Sequence, residues 1–343
     1  MKTFTAYLLI IFSTIWFSTC RTEQAVSTKA SVVWLQAGDI RLGVLPEVGG
    51  RIVFYGLGNV NLLKADTSLW EESELMRPSV KADEGWKSYY GHTVWIGPQS
   101  EWWIHQDLNS ERKDQRAVWP PDPWLIYANY SVIELTDSSL VIEGPASPVS
   151  GIRLTKRILL QSNGKVEIHV IGKNIREEEI AWDLWMNTRI DGYAEVYVPC
   201  EQSGVKRIQG SNDNGNEAVE YNIADGFFHF MPALPSDGKR QRSSKAFLNP
   251  SQPWMAAFID SLCFIVEFDL YDPDQTHPEQ GMVEIYNSTS NNADEALTEM
   301  EYHGPYSRIL PGESIEVTER WSIVPYSGKV DEYVAFLRQE MGI

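Results

Sequence analysis

Short β-type runs cut by turn residues recur along almost the whole chain, and this punctuation limits the fold more than any other feature of the sequence. Residues 32–36 lead into Ala37-Gly38-Asp39, residues 40–45 into a turn ending at Gly49-Gly50, and residues 51–57 continue the meander. Residues 152–158 alternate with a period near two, turn at Asn163-Gly164 and return along 165–170. Asn-Gly marks a hairpin because both residues accept the positive φ of a tight turn. Further strands are expected at 125–135, 139–143, 180–190, 194–199, 226–231, 254–269, 282–287, 297–303 and 314–324. Only 331–341, with Val334, Leu337 and Met341 at helical spacing, and more weakly 68–77 read as helix. So many strands in one unit imply an all-β domain of two large packed antiparallel sheets over residues 31–326, closed by a short C-terminal helix within 327–343.

The first residues carry a different signal. Lys2 precedes an apolar stretch at 6–17, too short to span a bilayer comfortably and suited to the core of a signal peptide over 1–19. It runs into Phe17-Ser18-Thr19-Cys20, which resembles a bacterial lipobox although Phe17 and Thr19 depart from its usual residues. Cys20 is therefore the expected lipidation site and 20–30 the tether, which places the chain in the bacterial cell envelope on the outer-membrane or periplasmic face. The remaining thiols are Cys200 and Cys263, and sequence cannot say whether they pair. The net charge of −18 argues against nucleic acid as a ligand, since the summed field would repel it. No metal-ligand spacing stands out. The oxygen-rich 211–217 segment lacks the full pattern of a calcium loop and reads as an exposed turn. No metal and no cofactor are expected, and a monomer is.

Three clusters carry candidate chemistry. Six of the 13 tryptophans fall between Trp86 and Trp124, among them Trp95, Trp102 and Trp103, in a stretch broken by Gly and Pro. An indole offers a flat apolar face and one N–H donor, which suits stacking against a sugar ring. In 182–190, alternation sends Asp183, Trp185, Asn187 and Arg189 to one strand face, a set able to bind hydroxyls or, through Arg, a uronate carboxylate. In 298–305, Glu299, Glu301 and His303 share a face, where neighbouring carboxylates raise each other's proton affinity.

The order of motifs resembles the galactose mutarotase-like superfamily. Leu45-Pro46-Glu47-Val48-Gly49-Gly50-Arg51-Ile52 comes first, then Tyr90-Gly91-His92 with Trp95 and Pro98, the polar-faced strand at 182–190, and Glu299 to His303 leading into Leu310-Pro311-Gly312-Glu313-Ser314. The likeness spans about 40–324, and its nearest look is to a bacterial branch described only as a domain of unknown function. The resemblance implies a β-supersandwich with a carbohydrate cleft on its concave sheet. It further implies a base at Glu299 or Glu301, an auxiliary His92, and Arg51 among the binding residues. In aldose 1-epimerases a Glu removes the anomeric proton and a His protonates the ring oxygen. Here the strand expected to bring the acid His offers Asn187 and Arg189 instead, leaving His303 or His92 as substitutes. Two readings follow from the resemblance: an exported lipoprotein that binds a small sugar or an oligosaccharide, or a sugar-active enzyme of the epimerase type. Both require the stretches around 92, 187 and 301 to meet on one hollow sheet face.

Overall fold

The computed structural model describes residues 32–71, 80–211 and 215–343; the expected signal peptide, Cys20, most of the weak helix at 68–77 and the centre of the 211–217 turn lie outside them. Among the described residues two antiparallel sheets account for nearly all strands. The twelve-stranded sheet runs in space through Val33–Ala37, Ile40–Leu45, Arg51–Leu57, His92–Gly97, Ile180–Asp191, Leu297–His303, Val283–Ser290, Gln241–Leu248 and Val205–Gly210, with three short strands attached. The ten-stranded sheet runs Glu220–Ala224, Phe227–Met231, Glu195–Pro199, Trp254–Ile259, Leu262–Phe268, Ser314–Pro325, Val166–Asn174, Ile152–Leu160, Ser139–Glu143 and Ser131–Leu135. This is the expected all-β architecture of two large sheets.

Alternation explains how they pack. Ile152, Leu154, Ile158, Ile168 and Val170 turn inward and meet Leu184, Met186 and Ile190 from the other sheet in one apolar layer. Tyr55, Phe264 and Trp321 join the layers, with ring centroids 5.4 to 5.8 Å apart. The opposite face of the ten-stranded sheet, carrying Tyr197, Ala256, Phe258, Cys263 and Ile265, is covered by the C-terminal helix Tyr333–Met341, where Tyr333 stacks on Phe258 at 3.6 Å. Gly342 ends that helix at φ +70°, a left-handed cap that costs glycine little. Cys200 and Cys263 are buried free thiols.

Two local expectations differ from the structure. Residues 123–126 form a helical turn rather than the start of a strand, because Pro123 suits a first helical position and the Asp122 carboxylate accepts the Trp124 N–H at 2.9 Å. The strand Gln241–Leu248 is absent from the sequence reading, since its first residues are polar and carry no apolar alternation.

Candidate functional site

The Ile180–Asp191 strand lies inside the twelve-stranded sheet, between His92–Gly97 and Leu297–His303. Residues directly opposite on antiparallel strands share a face, so the register fixes the neighbours. Trp185 lies opposite Trp95 and His303, Asn187 opposite Thr93 and Glu301, and Arg189 opposite Glu299. One strand further, Glu284 is opposite Glu301 and Tyr286 opposite Glu299, and Lys245 is opposite Tyr286. The alternate residues Leu184, Met186 and Ile190 face the inter-sheet core, so this polar set occupies the sheet face turned away from it.

The set is a connected charge network. The Lys245 ammonium lies 2.7 Å from both Glu284 and Glu301. Asn187 Nδ2 donates to Glu301 Oε1 at 2.9 Å, and the Gly281 N–H donates to Glu284 Oε1 at 3.0 Å. His303 Nδ1 is 3.1 Å from Asp183 Oδ1, and its Nε2 is 3.6 Å from Glu284 Oε1. Arg189 Nε meets Glu299 at 2.8 Å while its Nη1 donates to Thr93 Oγ1 at 3.2 Å. Gly97 stands opposite Asp183 because a Cβ there would collide with that carboxylate and with Gln280.

Burial sets the protonation pattern. Loss of hydration dominates for Glu301 and, with Glu299 and Glu284 nearby, outweighs Lys245 to push the carboxyl up to about 8. Burial acts the same way on Glu284, but Lys245 and His303 outweigh it and hold that carboxylate down at about 2. Burial works against the His303 charge, yet Glu284 and Asp183 raise its pKa to about 9. For Lys245, too, burial is outweighed by Glu284, Glu301 and Glu299, which hold its pKa above the ordinary lysine value. The two carboxyls are thus driven in opposite directions, Glu284 towards its ionised form and Glu301 towards its protonated form.

Tryptophans roof much of this face. Trp185 lies 4.6 Å from the His303 ring and 4.9 Å from Trp95, and Trp95 in turn touches Trp102, Trp86 and Trp119. Arg189 sits 4.9 Å from the Trp95 ring and 5.5 Å from Trp86. The hollow is thus partly filled: Asp183, Asn187, Arg189, Glu284, Glu301 and His303 are all buried. Trp95 Nε1, Trp185 Nε1, Asn187 Oδ1 and Arg189 Nη2 are buried there without a hydrogen-bond partner among the described residues. The face opens only at its rim, where Trp119 is 44% exposed and the side chains of Lys245 and Glu299 are 20% and 14% exposed. Beside Lys245 an open depression of about 670 Å³ is lined by Gln209, Ser211, Ser243, Ser244 and Tyr286.

Asp183, Trp185, Asn187, Arg189, Glu299, Glu301 and His303 are therefore brought together, with Trp95 above them. Other expected residues lie elsewhere. His92 points to the opposite face of its strand, into the inter-sheet core, where its Nδ1 is 2.9 Å from Thr188 Oγ1 and its ring meets the Trp321 edge-on at 5.0 Å. Burial, then Lys156, Arg189 and Arg51, lowers its pKa well below the usual histidine value. Arg51 is fully buried and spends its guanidinium on the Tyr90 and Ile126 carbonyls, with its pKa lowered to about 9 by burial and by Arg189. Trp102 and Trp103 give their N–H groups to the Ile96 and Pro120 carbonyls and are buried supports rather than ligand contacts. Sequence reasoning missed Lys245 and Glu284. Glu284 was legible as a carboxylate between Val283 and Ile285 in an expected strand, whereas the segment around Lys245 carried no strand signal.

No curated protein matches the chain. Solved structures do. A galactose mutarotase-like protein from Lactobacillus casei covers 86% of this chain and 100% of its own at 9% identity and TM-score 0.52. Another from Clostridium acetobutylicum covers 87% and 99% at 11% identity and TM-score 0.52. At such low identity the likeness establishes the galactose mutarotase-like fold and nothing finer. A family model matches residues 31–324, and on that match the chain belongs to the family described as Domain of unknown function (DUF4380).

Proposed function

We propose that the chain binds a carbohydrate at the rim of the polar face of its twelve-stranded sheet, without turning it over. One observation carries this reading: six charged or hydrogen-bonding side chains, Asp183, Asn187, Arg189, Glu284, Glu301 and His303, are buried together on one sheet face. Dehydrating an ion costs several kcal/mol even after relaxation, so well-packed apolar residues would often serve stability as well or better. The rim supplies the groups a sugar needs. Trp119 offers an exposed ring, Lys245 and Glu299 offer charge, and the depression of about 670 Å³ beside Tyr286 lies in the usual range of ligand clefts, roughly 300–1,000 Å³. The fold it shares with mutarotase-like proteins is consistent with a sugar ligand.

A second reading rests on Glu301, a carboxyl that burial pushes up to about 8, two residues from an imidazole that Glu284 and Asp183 raise to about 9. That pair could run ring opening if a sugar reached it, and both residues are buried. Titration with a panel of neutral and acidic saccharides, followed by anomer-exchange NMR on any ligand, separates the two. Saturable binding with unchanged exchange supports the binding reading. Accelerated exchange that Glu301→Gln abolishes supports the enzymatic one, and no saccharide binding at millimolar concentration defeats both.

Export and lipid anchoring belong to the same proposal and rest on the apolar 6–17 stretch and Cys20. Metabolic labelling with palmitate should mark the wild type and not Cys20→Ala. Labelling of neither would remove the anchor.

A further inference from the structure

We propose that Glu284, Glu301 and His303 form a binding site for a divalent d-block cation such as Zn²⁺ or Mn²⁺, which the Lys245 ammonium closes when no ion is bound. A ligand atom from each of the three lies within 4.8 Å of the others, and all three residues are buried. Bonds to Zn²⁺ are about 2.0–2.2 Å long, which places ligand atoms around one tetrahedral ion roughly 3.3–3.6 Å apart, so the side chains must close in by up to about 1 Å to complete the triangle.

Outer contacts already orient each ligand. His303 Nδ1 lies between the Gln280 amide at 2.7 Å and the Asp183 carboxylate at 3.1 Å, which leaves Nε2 facing Glu284 at 3.6 Å, too far for a hydrogen bond and without any other partner. A carboxylate behind an imidazole whose other nitrogen points into a cluster of acids is the usual second layer of a metal centre. Glu301 Oε1 is held by the Asn187 amide and Glu284 Oε1 by the Gly281 N–H. Two carboxylates and one imidazole favour a d-block ion over Ca²⁺, which takes six to eight oxygens.

The position is already cationic. Lys245 Nζ touches both carboxylates at 2.7 Å, so ammonium and metal ion would compete for the same oxygens. Lys245 enters from the rim beside the open depression and is not sealed in. Its flexible four-carbon stem can withdraw there and leave the oxygens to an incoming ion.

Calorimetric titration of chelator-treated, tag-free protein with ZnCl₂ and MnCl₂ tests this without reference to any sugar. Wild type should take up one ion per chain. Lys245→Met should bind at least tenfold more tightly, and Zn²⁺ should raise its melting temperature more than that of wild type. Adding Glu284→Gln should abolish binding in either background. Three results would overturn the site: no one-site binding to wild type at millimolar ion, binding no tighter in a folded Lys245→Met, or binding that survives Glu284→Gln. Should Lys245→Met fail to fold, wild type against Glu284→Gln still decides.

Discussion

The hairpin of Ile152–Leu160 and Val166–Asn174 and the pair formed by Ile180–Asp191 and Leu297–His303 are both antiparallel ladders in large sheets, yet their burial differs. In the hairpin buried and partly exposed residues alternate, and Arg153, Arg157, Glu167 and His169 all lie on the wetter side. In the other pair Trp182 through Ile190 are buried without a break, as are Met300 to His303. Where one face is wet, water supplies the partners of polar side chains. Where both faces are dry, each polar group must find its partner inside the protein or remain costly. Lys156 shows the rule within the hairpin itself. It is the one charge on the dry side, donating to the Gly49 and Gly50 carbonyls with its pKa lowered to about 7 by burial and by Arg51.

The largest expected effect breaks the dry pattern. Lys245→Met removes the ammonium that bridges Glu284 and Glu301, and losing one partner of a buried ion pair costs about 3–5 kcal/mol. Urea denaturation of metal-free protein should read a loss of that order. A loss under about 1 kcal/mol would mean that water reaches the network and the pairs behave as surface pairs.

The next effect sits in the inter-sheet core. Burial raises the Glu319 carboxyl to about 8, against a single bond from Trp321 Nε1 at 2.9 Å. The folded chain therefore keeps a proton that the unfolded chain releases near the ordinary glutamate value. Stability from this group is intact below that value and is lost as pH rises through about 8. Glu319→Gln cannot ionise, so its melting temperature should gain steadily on wild type from pH 5 to about 8 and level off above. A constant difference would place Glu319 in contact with water.

The same contrast explains what could be read without coordinates. Strand parity alone separated Asp183, Trp185, Asn187 and Arg189 from Leu184, Met186 and Ile190, and it grouped Glu299, Glu301 and His303. Parity also argues against His92, since it and Trp95 stand three apart on one strand and must face opposite ways. The resemblance to a family had joined them. Register between distant strands was not legible: nothing local places Lys245 beside Glu301, because that contact depends on how three strands are ordered. Nor does composition separate Trp102, which supports the roof, from Trp119, which stays exposed at its edge.

That last difference gives a smaller and sharper test. Trp119 is largely exposed and packs 4.7 Å from Trp86, so Trp119→Ala should cost little stability. Stacking of this kind is worth about 0.5–1.5 kcal/mol beyond area burial, so affinity for a saccharide ligand should fall roughly two- to tenfold. Trp102→Ala should do the reverse, lowering stability by about 3–5 kcal/mol as other buried large-to-small changes do. Unchanged affinity in Trp119→Ala would move the ligand away from the indole rim.

The smallest effect belongs to the wet side of the hairpin. Arg320 lies 3.7 Å from Glu167 and 3.1 Å from Asp269, the second no longer than the His303–Asp183 contact, but its side chain is 42% exposed. Solvent screens such a pair and ordering two long side chains offsets most of the attraction, leaving roughly 0.2–1 kcal/mol. Arg320→Ala should therefore shift the urea midpoint slightly, and 1 M salt should erase most of the shift because the Debye length falls to about 3 Å. Salt should change the loss in Lys245→Met much less, since buried pairs are screened far less than exposed ones. If both losses respond to salt alike, the two regions share one dielectric environment and burial is not what distinguishes them.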